Sequence, residues 1–403
     1  MGIFGKKSAA PASTRTKPAP PPAPIAITGI GLACHAGDQP FELISSILGQ
    51  INGVRLSKAF KFKPADANEE ALPRMAPVVE LGDMSDRYRM YKLSTIALSN
   101  VAEQLPADIN VERVLIVITV DPELITRFSK VDTQHLQSFL VKLIPRIATA
   151  TFRILPNIST SSSNALRTSL AELNEGKWQA IIFGGADSLI SIYTCQDLHR
   201  DNRLNIVGKS DGIVPGEAAA FVVLQSTESA TKNTTPALGY LRGLGVTAEP
   251  NARDADIEAT DGLSSAITQA LAQAGIAATD IQGVVQCLGA ETVQSFEWFQ
   301  TTQKIWPRRV SEQQRMAVQL GEIEQADIPD DPIPKIVLPY LTMGEVGAAA
   351  LPIQLATALA WIEYDASQAR WGFPIRNHLL VCDTPDAPER GAMIISPTLA
   401  TAT

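Results

Sequence analysis

Apolar residues fall along this chain in two rhythms. Runs such as Arg113-Val114-Leu115-Ile116-Val117-Ile118-Thr119-Val120, 178–183 and 219–224 are apolar at nearly every position. That pattern predicts strands covered on both faces, as in a sheet between helix layers. Ile25-Ala26-Ile27-Thr28 predicts a short strand broken by Gly29 and Gly31, followed by a helix over 41–48. Residues 55–84 are mixed and proline-containing and read as surface loops, after which 88–105 regains a helical period with Tyr91, Leu93, Ile96, Ala97 and Val101 on one face.

Past Pro236 the same order starts again. Residues 241–246 read as a Gly-broken strand, and 261–274 as a helix with Leu263, Ile267, Ala270, Leu271 and Ala274 in one stripe and Gly275 as its stop. Strands are predicted at 283–288, 335–338, 378–382 and 392–395. The run 347–362 is apolar nearly all round, which predicts a buried helix, matched in the first half by one at 163–173. The pattern is a duplication of two α/β halves, at 25–230 and 236–403, after a Pro/Ala-rich segment at 1–24 that cannot pack a core and reads as a flexible tail.

A chain of 403 residues with 45% hydrophobic content buries a large core. Its net charge of −8 and the lack of a Lys/Arg run argue against sequence-independent nucleic-acid binding. Cys34, Cys195, Cys287 and Cys382 lie far apart without C-x-x-C spacing, so they read as buried reduced thiols and neither a disulfide framework nor a zinc site is expected. No apolar run is long enough to span a bilayer and no secretory h-region is present, so the expectation is a cytoplasmic protein without a membrane segment. Met1-Gly2 is only superficially a myristoylation start, because Lys6 replaces the usual Ser or Thr.

Four segments carry more specific information: Ile27-Thr28-Gly29-Ile30-Gly31-Leu32, Gly184-Gly185-Ala186-Asp187, Asp211-Gly212-Ile213-Val214-Pro215-Gly216-Glu217-Ala218, and Ala270 to Ile276 followed by Asp280-Ile281. With Ile158 to Asn164 as a turn into a helix, they resemble the β-ketoacyl-acyl-carrier-protein synthase branch of the thiolase-like superfamily from Ile25 onward. The resemblance implies a five-layered αβαβα fold of two duplicated halves, usually dimeric. It implies decarboxylative condensation, with an acyl group on a cysteine thiolate and two histidines stabilising the enolate oxygen.

Position by position, the resemblance places the nucleophile at Ser159, the two histidines at Leu288 and Gly344, and an upstream lysine at Pro339. The closing Gly-Phe-Gly-Gly gate is replaced by residues 383–390. Leucine and glycine have no side-chain proton to give, and a serine hydroxyl needs a base that a thiol does not. His35, His135, His199 and His378 offer no rescue and read as surface or capping residues.

Ser159 or Ser161 as a hydrolase nucleophile lacks a G-x-S-x-G elbow, and the serine turn is better read as a helix cap. Cys287 reads as a small buried residue rather than a reactive thiol. Asp383, Asp386, Glu389 and Glu291 are too irregularly spaced for a metal cluster and read as solvated loops. The glycine pairs fit no phosphate loop and read as points of close backbone approach.

The sequence therefore predicts a catalytically inactive member, with a vestigial pocket at Ser159, Thr160, Ser161, Cys287, Leu288 and Gly344 and with no cofactor or metal. It would act as a homodimer, or as a heterodimer with an active synthase (as chain-length factors do) or another protein, or as an adaptor for a secretion effector. The alternatives are an acyltransferase rearranged around Ser159, and a protein that binds an acyl chain or acyl carrier protein.

Overall fold

Ten strands hydrogen-bond into one mixed sheet, and their order shows the duplication directly. They are β1 (Ile25–Cys34), β2 (Val114–Val120), β3 (Thr151–Pro156), β4 (Ala180–Ser188), β5 (Glu217–Ser226), β6 (Gly239–Ala248), β7 (Ile281–Gln286), β8 (Lys335–Val337), β9 (His378–Asp383) and β10 (Glu389–Ser396). The first half runs β3-β2-β4-β5-β1 and the second β8-β7-β9-β10-β6, the same order shifted by five. Directions match too. β2 is parallel to β3 and β4 while β5 is antiparallel to β4 and β1, and the pairings of β7 to β10 and β6 repeat this. The halves join where Ile25, Ala26 and Ile27 of β1 pair antiparallel with Leu241, Tyr240 and Gly239 of β6. The computed structural model describes residues 23–63, 70–120, 130–156, 162–252, 261–286, 289, 291–307, 310–324, 333–367, 375 and 377–399.

The helices sort into layers. They are α1 (Pro40–Leu48), α2 (Asp86–Glu103), α3 (Lys130–Leu143), α4 (Ser162–Asn174), α5 (Ile192–Arg200), α6 (Thr227–Lys232), α7 (Gly262–Ala274), α8 (Thr292–Ile305), α9 (Glu312–Gln319), α10 (Tyr340–Met343) and α11 (Ala350–Ser367). Along β2 alternate side chains part company, as pleating requires. Val114, Ile116 and Ile118 pack outward with Leu93 and Ala97 of α2 and Leu136 and Leu140 of α3. Leu115 and Val117 pack inward with Leu166 and Leu170 of α4. That inner core also holds Leu355 and Leu359 of α11 and, from the second half, Leu379, Val381, Met393 and Ile395. The other faces of β9 and β10, through Leu380, Cys382, Ala392 and Ile394, pack on Leu263 and Ile267 of α7 and Trp298 of α8. The result is five layers, αβαβα, with α4 and α11 in the middle, as the resemblance implies.

Contrary to the expectation of a break, β1 runs unbroken through Gly29 and Gly31, with a bulge between Ile27 and Gly29. A Cβ on Gly31 would lie inside the van der Waals shell of the Ala97 carbonyl of α2. Gly245 of β6 meets the Ala266 carbonyl of α7 in the same way, so each half rests its first outer helix on glycines of its first strand. Gly275 closes α7 in the left-handed region, as read from the sequence. The elements β3, α5, α6, α8, α9 and α10 have no forerunner in the sequence pattern. Among the described residues no helix is long and apolar enough to cross a membrane.

Candidate functional site

Strands β4, β7 and β9 end at Ser188, Gln286 and Asp383, and the loops beyond them build one polar region. The Gly184-Gly185-Ala186-Asp187 motif closes β4. Asp187 accepts from its neighbour Ser188 N (2.8 Å) and from Ala348 N (2.9 Å), which holds the start of α11 against the first half. Thr119 Oγ1 donates to the Ala348 carbonyl at 3.0 Å.

The segment 211–218 is a strap between the halves. Asp211 accepts from Thr292 N and Oγ1, both at 3.1 Å, at the start of α8. Val214 N donates to Tyr340 Oη (3.0 Å), and Glu345 N donates to the Val214 carbonyl (2.8 Å). Glu217 is fully buried and takes both Nε and Nη2 of Arg89, at 2.7 and 2.5 Å, together with Val78 N and Ser188 Oγ. The strap fixes the turn that carries Gly344. Gly344 is buried with φ +70°, and a Cβ there would stand 2.6 Å from the Val214 carbonyl oxygen. Any L side chain would meet both a disfavoured backbone region and a backbone atom.

Next to that glycine, Glu345 has a carboxyl pushed up to about 7, first by burial and then by the nearby Asp386 and Glu291 charges, against a bond from Gly347 N (3.1 Å). Arg203 holds those two neighbours. Its Nε and Nη2 reach Glu291 at 2.7 and 2.6 Å, and its Nη1 and Nη2 reach Asp386 at 2.9 Å each. One guanidinium thus clasps the loop before α8 and the loop between β9 and β10.

That second loop is pinned elsewhere as well. The buried Arg390 forks onto Glu297 of α8 (2.7 and 3.0 Å), and its Nη1 donates to the carbonyls of Pro385, Ala387 and Glu389. From α4, Ser163 Oγ donates to Asp383 Oδ2 and Asn164 Nδ2 to Glu389 Oε1 (3.0 Å). Burial pushes Asp383 up to about 6 despite the Ser163 bond and the Arg390 charge. Beside the Arg203 fork lies a cleft of about 350 Å³, lined by Lys209, Asp211, Glu291, Thr384 and Asp386 among others.

No protein-family model matches the chain, and no curated protein matches it either. Solved structures do match. One is a ketosynthase complex, AntDE:AntF, holding a type II PKS acyl-carrier protein (TM-score 0.65, 15% identity, 93% of this chain and 99% of that one). Another is the ishigamide ketosynthase/chain length factor (0.64, 15%, 93% and 99%). A third is the ketosynthase from module 6 of the bacillaene synthase of Bacillus subtilis 168 (0.68, 12%, 94% and 72%). The chain has the β-ketoacyl synthase fold. At 12–15% identity the likeness is one of architecture.

Within the ketosynthase fold, Ser159, Thr160, Ser161, Cys287 and Leu288 lie outside the described residues. Gly344 is in the turn just described, and Pro339 precedes the first turn of α10. The carboxylates read as solvated loops differ from that reading. Asp383 is buried, and Glu291, Asp386 and Glu389 all have protein partners, because the matching cations and amides come from distant segments. Arg203, Arg390, Glu345 and Ser163 had no local signature, although Glu345 directly follows a position singled out.

The histidines are engaged elsewhere. His35 Nδ1 is 3.3 Å from the Pro77 carbonyl. His199 is in the last turn of α5, with Nε2 3.1 Å from the Lys63 carbonyl and its ring on Phe62. His378 is buried rather than at the surface, 2.6 Å from Ser396 Oγ, and burial holds its pKa below the usual imidazole value. It stands at the opposite end of β9 from Asp383. Cys34, Cys195 and Cys382 are buried free thiols, with burial pushing the first two up to about 12.

Proposed function

We propose that this chain is a non-catalytic ketosynthase-like subunit that acts by pairing with another protein. The observation that carries the reading is Gly344. The place where the family resemblance expects an enolate-stabilising histidine is a left-handed glycine whose Cβ direction is closed by the Val214 carbonyl. The loop that replaces the family gate adds support. It is tied by Arg203, Arg390, Ser163 and Asn164 rather than left as a glycine hinge.

Pairing is favoured by the surface around β3, the outermost strand of its half, with no strand along its outer edge among the described residues. An apolar patch accompanies that half. Val79, Met84, Tyr88 and Leu143 are exposed, and ring contacts run from Tyr88 through Tyr91 to Phe139 of α3. The partner is an intact synthase, in the manner of a chain-length factor, or a second copy of this chain. An adaptor for a secretion effector is the variant with a different client. Halves at 25–230 and 236–403 and a cytoplasmic location belong to the same proposal.

A second reading, binding of an acyl chain or acyl carrier protein without chemistry, is favoured by the cleft beside Arg203. Incubation with acyl-carrier-protein thioesters followed by intact-mass spectrometry tests the main proposal. No adduct is expected. An acyl adduct on Ser159 that disappears in Ser159→Ala would overturn it, and retention of the carrier protein without an adduct would favour the second reading.

A further inference from the structure

α8 inverts the usual division of a surface helix. Its buried side is Glu297, Trp298, Thr301 and Thr302, with Glu297 forked onto Arg390, whereas Phe296 and Phe299 stand outside at 48% and 50% exposure. At about 100° per residue both phenylalanines fall opposite the middle of the buried side. The helix is seated through polar groups and turns its aromatic residues to solvent, so it has an apolar face still to cover. Val293, three residues before Phe296, lines the cleft beside Arg203. Val293, Phe296 and Phe299 thus form a row at a spacing of three, the kind of ridge that seats in the groove of a second helix.

Among the described residues, the charges exposed at the cleft end of this row are carboxylates. Asp201, Asp211 and Asp386 face solvent, while the cations of the lining lie deeper, with the Arg203 side chain 21% exposed and that of Arg390 2%. Lys209 is turned onto Asn202. The occupant that fits is apolar along one face and basic at its flank. A second copy of this chain does not fit, because a twofold contact here would set the three carboxylates near their own copies in a chain of net charge −8.

We propose that the outer face of α8, from Val293 to Phe299, docks a basic amphipathic helix of another protein. α8 belongs to the outer layer opposite α2 and α3, so this contact and pairing through the apolar patch of α2 and α3 can be made at once. The chain then joins two proteins, one on each outer layer.

Fluorescence anisotropy tests this on the full chain with a labelled synthetic amphipathic helical peptide of leucine and lysine, against its counterpart with glutamate for lysine. The lysine peptide is expected to bind on the order of tenfold tighter. Phe296→Ser/Phe299→Ser, at exposed positions and checked for an unchanged circular dichroism spectrum, should weaken it on the order of tenfold, while Phe41→Ser, an exposed aromatic on α1, should leave it unaltered. Asp201→Lys, at the exposed rim, should cut the preference for lysine over glutamate several-fold. Absence of binding, equal affinity for the two peptides, or full affinity in the double phenylalanine variant would overturn the proposal. So would a peptide affinity raised by removal of residues 1–22, which would make this chain's own segment the occupant, or a dimer that the double variant turns into monomers, which would make it a second copy.

Discussion

Arg89 of α2 and Glu217 of β5 form a two-pronged ion pair with their side chains 4% and 0% exposed. The pair ties the outer helix layer to the strap 211–218, and through it to the turn that carries Gly344. Removing one partner strands the other charge away from water. Arg89→Met is expected to destabilise the fold by about 3–5 kcal/mol in urea unfolding. The double variant Arg89→Met/Glu217→Leu should recover part of this, short of all, because Val78 N and Ser188 Oγ also lose their acceptor.

Glu345 sets a pH dependence of stability with a definite sign. Its pKa rises from an ordinary 4.5 to about 7 on folding, so between those values the folded state binds more protons than the unfolded chain. Stability from this group is therefore highest below pH 4.5, falls as pH rises towards 7, and levels off above. Glu345→Gln should remove that slope and leave the variant more stable at pH 8, by at most about 3 kcal/mol. The difference between the two proteins isolates this group from Asp383, whose raised pKa acts in the same direction. A variant no more stable than the parent at pH 8 would contradict the assignment.

The glycines under the outer helices make a paired prediction. Gly31→Ala and Gly245→Ala each push a Cβ into a helix carbonyl, Ala97 in one half and Ala266 in the other. Each should cost about 2 kcal/mol, read by thermal or urea unfolding. Gly82→Ala, where nothing lies within 4 Å but φ is positive, should cost about 1–3 kcal/mol through backbone strain alone.

Association should depend on the apolar patch of α2 and α3. Tyr88 is 60% exposed, so Tyr88→Glu leaves the folded chain intact and is expected to weaken self-association or partner capture on the order of tenfold by analytical ultracentrifugation. An unchanged sedimentation profile from a dimeric parent would remove this face from the interface.

What the sequence displayed and what it concealed follow from how each element is buried. β2 was legible because all seven of its residues are buried, so it is written as an unbroken apolar run. α8 was not, because its buried face is Glu297, Trp298, Thr301 and Thr302, a stripe with little apolar period. β3 carries a half-buried Arg153 paired with Glu172, which interrupts the strand pattern at an edge. In the site, the glycine at 344 was visible as a departure from a family motif. The Arg203 clasp was not, because its acceptors stand 88 and 183 residues further along the chain and no local spacing encodes such a pairing.

The shared middle layer has a consequence for how the protein is made. The inner face of β2 and β4 is covered by α4 and also by α11, which begins at Ala350, more than a hundred residues after β5 ends at Ser226. At ribosomal speeds of about 5–20 residues per second, the first half waits on the order of ten seconds with an apolar surface uncovered. A nascent chain halted before residue 350 should therefore recruit chaperones and aggregate without them.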